Sequence, residues 1–131
     1  MLSSINVKNY MTANLITFKP DMGVMDAIYL LLENRISAAP VVDKRGNLVG
    51  MLSEKDCMKV VLQASYHEER AGKVSEYMSR NVKTVNLDDS LLDVARMFLE
   101  APYKRYPVMR DNVLVGQISR KDVLKALKDL W

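Results

Sequence analysis

The chain has 131 residues, 49% of them hydrophobic, and a net charge of +3 from 19 basic and 16 acidic side chains. That is enough for one compact domain or two small subdomains with a buried core, and too little charge to argue for nucleic acid, although it suits small anionic ligands. One cysteine, Cys57, and one histidine, His67, argue against an internal disulfide or a metal cluster, and the absence of a long apolar run or a basic leader predicts a cytoplasmic protein without a membrane span.

From the N-terminus, Val7 to Thr12 reads as a short lead-in and Leu15-Ile16-Thr17-Phe18 as a short strand, stopped by Lys19-Pro20-Asp21. A helix follows, because Val24, Ala27, Ile28, Leu31 and Leu32 fall at i, i+3, i+4, i+7 and i+8, an uninterrupted stripe for the core. Ala39 to Val42 and Leu48 to Leu52 flank the turn-rich Asp43-Lys44-Arg45-Gly46-Asn47, which predicts a hairpin. Pro40 and, further on, Pro107 have no N–H to give to a ladder, so each is expected at a strand start or edge. A second helix carries Cys57, Val60, Val61 and Ala64, and Ser65 to Lys73 is a polar join in which His67 reads as a solvated residue.

The same order then recurs. Val7 aligns on Val74, Tyr10 on Tyr77, Met11 on Met78, Thr17 on Thr84, Pro40 on Pro107, Gly50 on Gly116, Ser53 on Ser119 and Asp56 on Asp122. Leu91, Val94, Ala95, Phe98 and Leu99 repeat the first helical stripe, here with an N-cap hydroxyl at Ser90; the second hairpin turns at Asp111-Asn112; Val123, Leu124, Leu127 and Leu130 lie on the closing helix. The chain is therefore a tandem duplication of a β-α-β-β-α unit, with unit one at 1–66, a join at 67–73 and unit two at 74–131.

Each copy ends its hairpin in Ser-x-x-Asp at the start of a helix: Ser53 to Asp56 and Ser119 to Asp122. A hydroxyl and a carboxylate beside free backbone N–H groups can grip a ribose or a phosphate. The same four residues also make an ordinary helix cap with no ligand at all. Both readings stand at this level. Nothing in the sequence offers a nucleophile–base pair or a Gly-rich phosphate loop, so no catalytic residue is assigned.

Tyr-Met-Thr/Ser opening each unit, Thr17 and Thr84, the Pro-Val pairs at Pro40-Val41 and Pro107-Val108, and Gly-x-x-Ser-x-x-Asp at Gly50 and Gly116 together resemble the paired CBS domains, also called a Bateman module. The resemblance covers almost the whole chain. It implies an α/β fold with two units packed about a pseudo-twofold axis, often joined further into a homodimer, and regulatory binding of an adenine nucleotide (AMP, ADP, ATP) or S-adenosylmethionine in the clefts between units. By position, Asp56 and Asp122 would accept hydrogen bonds from ribose hydroxyls, and Thr17, Thr84, Ser53 and Ser119 would supply hydroxyls near ribose or phosphate. Ala38, and Tyr106 and its neighbours beside Pro107, would meet adenine with backbone groups, and Ser37 would lie at the phosphate end. The repeats differ where Ser37-Ala38 is replaced by Lys104-Arg105 and Glu54 by Arg120, which favours the second half for charged phosphates. The resulting expectation is a non-catalytic energy or metabolite sensor that requires no cofactor or metal and acts on an effector protein. The alternative is a dimerisation module with empty clefts. Apolar Leu31, Leu32, Phe98 and Leu99 predict a homodimer through their helices.

Overall fold

The computed structural model describes residues 1–66 and 72–131; His67 and most of the predicted join lie outside the described residues. The elements are α1 (Val24–Glu33), β1 (Ala38–Val42), β2 (Leu48–Ser53), α2 (Glu54–Tyr66), α3 (Val74–Tyr77), β3 (Val85–Asn86), α4 (Leu91–Glu100), β4 (Arg105–Arg110), β5 (Val113–Ser119) and α5 (Arg120–Leu130). A 3₁₀ turn at Val7–Asn9 takes in the first lead-in the place that α3 has in the second. The result is a mixed α/β fold with two small sheets, β1-β2 and β3-β4-β5.

The two compact units are not the two repeats. One is Ile16–Val82, and the other is Met1–Leu15 together with Lys83–Trp131. They are called here the Asp56 unit and the Asp122 unit. In the Asp56 unit, Val74, Tyr77 and Met78 of the second lead-in are buried with Phe18, Val24, Ala27, Leu31, Ala39, Val41, Leu52, Cys57 and Val60. In the Asp122 unit, Val7 of the first lead-in is buried with Val85, Leu91, Val94, Phe98, Tyr106, Val108, Ile118, Val123 and Ala126. The backbone fixes each exchange. Val74 N–H donates to Met22 O and Ser75 N–H to Pro20 O; the equivalent pairs are Val7 to Asp89 O and Lys8 to Leu87 O, all between 2.9 and 3.0 Å.

Three expectations change. The strand over Leu15–Phe18 reduces to one parallel bridge between Phe18 and Val41, because only Phe18 N–H and O reach the β1 backbone; its counterpart β3 has two residues. The helical stripes are narrower than predicted: Leu31 and Phe98 are in the cores, but Leu32 is 70% and Leu99 89% exposed, since each helix meets its sheet along only one face. Pro40 lies inside β1, an edge strand of its two-stranded sheet, as expected, but Pro107 lies inside β4, the middle strand of three. Pro40 faces Met51, whose N–H and O are both bonded to Ser79, and Pro107 faces Gln117, bonded likewise to Thr12. Each proline therefore occupies a non-hydrogen-bonded pair, where its missing N–H costs that strand pair no bond.

The remaining local signals produce the elements they suggest. Ser90 caps α4 by accepting from Asp93 N–H at 3.1 Å. The Asp43 loop is closed by Asp43 Oδ1, which accepts from both Arg45 and Asn47 N–H at 2.9 Å, with Gly46 at φ 85°. The two-residue turn of the second hairpin holds Asp111 at φ 55°.

Candidate functional site

Strand direction brings the predicted residues to one end of each sheet. In the Asp122 unit β3 runs parallel to β4 (Val85 opposite Val108) and β5 antiparallel to it (Arg105 opposite Ser119). The start of β4 and the end of β5 therefore share an edge, which places Arg105 and Ser119 there with α5 beginning at once, whereas Thr84 precedes β3, whose first residue lies three positions further along β4, opposite Val108. Lys104 O accepts from Arg120 N–H at 3.3 Å and ties the strand start to the first residue of the helix. The Asp56 unit repeats this: Ala38 lies opposite Ser53, Ser37 O accepts from Glu54 N–H at 2.9 Å, and Thr17 precedes the Phe18 bridge.

Both Ser-x-x-Asp segments form complete capping boxes. Ser119 N–H donates to Asp122 Oδ2 at 2.9 Å and Asp122 N–H to Ser119 Oγ at 3.2 Å. Ser53 N–H donates to Asp56 Oδ2 at 3.0 Å and Asp56 N–H to Ser53 Oγ at 3.1 Å. The cap that the sequence allows is thus present in both copies. It leaves spare acceptor capacity, because a carboxylate has about four lone-pair sites and the box uses one.

Around these corners the predicted residues separate into groups. Thr17, Thr84, Lys104 and Arg120 are exposed; Ser37, Ala38, Ser53, Arg105, Ser119 and Asp122 are half-buried; Pro107 is buried. The Tyr106 ring belongs to the core, with its hydroxyl donating to Met97 O at 3.1 Å and its ring 4.8 Å from that of Phe98; its backbone pairs with that of Ile118 in the hydrogen-bonded rung next to Pro107. Burial pushes the Tyr106 hydroxyl pKa up. Arg105 Nε is buried without a hydrogen-bond acceptor, at the position where the other unit has Ala38. Among the described residues no group of three or more His, Cys, Asp or Glu is placed to hold a metal, and no helix is long and apolar enough to cross a membrane.

Sequence reasoning missed the part played by the lead-ins. A Cβ on Gly50 would stand 2.9 Å from Ser79 O, and one on Gly116 2.7 Å from Thr12 O, so the glycine of Gly-x-x-Ser-x-x-Asp is there to let the lead-in backbone come close. Met78 and Met11 cover the same two glycines. Tyr77 Oη donates to Gln63 at 2.6 Å and Tyr10 Oη to Asp129 at 2.9 Å, anchoring each lead-in to the closing helix of its unit. Finally, Ser79 Oγ donates to Asp56 Oδ1 at 3.2 Å. The repeated Tyr-Met-Thr/Ser was the visible signal for this docking.

Fold and corner together define a class: a doubled α/β module whose repeats exchange lead-ins and place a capped Ser-x-x-Asp at one end of each sheet. CBS domain matches residues 7–63 and 74–129, and the chain belongs to the CBS domain family. The Methanocaldococcus jannaschii protein MJ1426 is 39% identical over 92% of this chain and 90% of its own length. The chain spans less than half of two other relatives from that organism, 46% and 34% of their lengths. Among solved structures, Arabidopsis thaliana CBSX2 in complex with AMP is similar at TM-score 0.84 and 31% identity, covering 95% of this chain and 97% of that one. The CBS domain pair of protein MJ0100, in complex with 5-methylthioadenosine and S-adenosyl-L-methionine, is similar at TM-score 0.81 and 26% identity, covering 97% and 98%.

Proposed function

We propose that this chain is a non-catalytic regulatory module that binds an adenosine-containing ligand and transmits its occupancy to an effector protein. The observation that supports the reading is the edge of the Asp122 unit, where the half-buried Asp122 and Ser119 form a helix N-terminus tied through Arg120 N–H to Lys104, next to Arg105, in a fold whose solved relatives hold AMP or S-adenosylmethionine. Asp122 accepts from the ribose diol, and Thr84 and Ser119 supply hydroxyls. Lys104, Arg105 and Arg120 meet phosphate through charge-assisted bonds, while the backbone beside Pro107, at the start of β4, faces the base.

Calorimetric titration with adenosine, AMP, ADP, ATP and S-adenosylmethionine tests this. Arg105→Ala is expected to weaken AMP by roughly tenfold or more relative to adenosine, the worth of one charge-assisted contact, and Asp122→Ala to weaken both. No binding at millimolar ligand overturns the reading.

A second reading, a dimerising interaction module, is favoured by one specific observation. Met25, Tyr29 and Leu32 stand exposed at i, i+4 and i+7 along α1, an apolar stripe that the unit's own core does not cover. It predicts a homodimer by light scattering at tens of micromolar, and a monomer there dismisses it.

A further inference from the structure

Asp56 and Asp122 hold equivalent places, yet their surroundings differ. Asp56 Oδ2 accepts from Ser53 N–H and from Ser53 Oγ, both at 3.0 Å, and Oδ1 accepts from Ser79 Oγ at 3.2 Å. Lys59 Nζ lies 3.9 Å from Oδ1, and the residue is only 8% exposed. Ser79 itself is held by reciprocal backbone bonds with Met51, both 2.9 Å. This carboxylate therefore joins three chain segments: the end of β2, the first turn of α2 and the second lead-in.

Asp122 is less engaged. Its Oδ2 takes Ser119 N–H, and among the described residues no group donates to its Oδ1. Thr12, which stands where the other unit has Ser79, keeps the backbone bridge to Gln117 at 2.8 and 2.9 Å, but its hydroxyl makes no bond to Asp122. A ribose diol could add to Asp122 without displacing anything. At Asp56 it would have to expel the Ser79 hydroxyl and enter a buried corner, losing about as much as it gained.

We propose that the two corners have divided their work: Asp56 is a positioning residue that latches the second lead-in onto the β2–α2 corner, and nucleoside capture falls to Asp122 alone, one ligand per chain. The capture half rests on the adenosine-binding reading above. The latch half does not.

The latch is tested without ligand, by thermal unfolding of the full chain. Ser79→Ala is expected to lower Tm by about 2–5 °C, Ser79→Thr to restore most of it, and Thr12→Ala to change Tm by no more than about 1 °C. Equal losses for Ser79→Ala and Thr12→Ala overturn the latch. Capture is tested by calorimetry with AMP: one site per chain, Asp122→Asn weakening it about tenfold or more, and Asp56→Asn lowering Tm while leaving affinity within about twofold. Two equivalent sites, or equal losses for the two Asp→Asn variants, overturn the division while leaving the proposed function intact. No heat with AMP or adenosine overturns capture together with that function, and the latch is then decided by the thermal series.

Discussion

Tyr10 and Tyr77 carry one repeated role with different chemistry. Tyr77 donates to the neutral Gln63, whereas Tyr10 donates to Asp129, and that hydrogen bond, then burial, then the carboxylate's charge, raise the Tyr10 pKa above the ordinary phenol value. The folded state thus favours the neutral phenol. Its contribution to stability is complete below the unfolded pKa and is lost as pH rises through the higher folded one. Asp129→Asn should move the Tyr10 titration back toward that of a free phenol, as followed by phenolate absorbance in an alkaline titration; an unmoved curve would mean that the pair does not persist in solution. Cys57 is governed by burial first, with Asp56 and Glu54 adding to it, and all three push its thiol pKa up. Because the thiolate is the nucleophile, alkylation of the native protein at neutral pH should be much slower than that of the urea-unfolded chain. Comparable rates in the two states would contradict the buried placement.

Among the elements, those set by local periodicity are legible in the sequence. The stripe Val24-Ala27-Leu31, the Asp43 loop and the Ser90 cap each depend on residues a few positions apart, so the chain displays them directly. The exposure of Leu32 and Leu99 is not legible there, because a helical stripe tells which side is apolar, not how much of that side the core covers. The Ser79–Asp56 bond, spanning 23 positions, had no periodic signature, and Ser-x-x-Asp alone could not say whether its carboxylate was a ligand group, a cap or a latch. Gly50 and Gly116 are the best clue to the lead-ins, since only a residue without a Cβ lets backbone approach so closely. They also give a direct test at this scale. A methyl group at either glycine would meet lead-in backbone within 3 Å, and backbone cannot rotate aside as a side chain can. Gly50→Ala and Gly116→Ala should each cost about 1–3 kcal/mol by denaturant melt; Gly46→Ala, in open space at φ 85°, should cost less, through backbone strain alone. A neutral Gly116→Ala would show that the Thr12 backbone is not held against β5.

At the scale of the molecule, exchange of lead-ins means that the unit of duplication and the unit of folding differ. The family matches at 7–63 and 74–129 follow the repeats, but the compact units are Ile16–Val82 and Met1–Leu15 with Lys83–Trp131. Cutting the chain between the repeats therefore removes part of each core. The first half loses Val74, Tyr77 and Met78, and the second loses Val7. Each fully buried apolar side chain contributes about 1.5–3 kcal/mol, and whole domains are stable by only about 5–15 kcal/mol. For the first half, the loss is of the size of the entire margin. We predict that fragments 1–71 and 72–131, expressed separately, show weak, non-cooperative thermal transitions by circular dichroism. Mixed in equal amounts, they should regain a cooperative melt, because each supplies the lead-in that the other core lacks. A sharp melt of fragment 1–71 alone near the Tm of the intact chain would show that the second lead-in is dispensable to the Asp56 core.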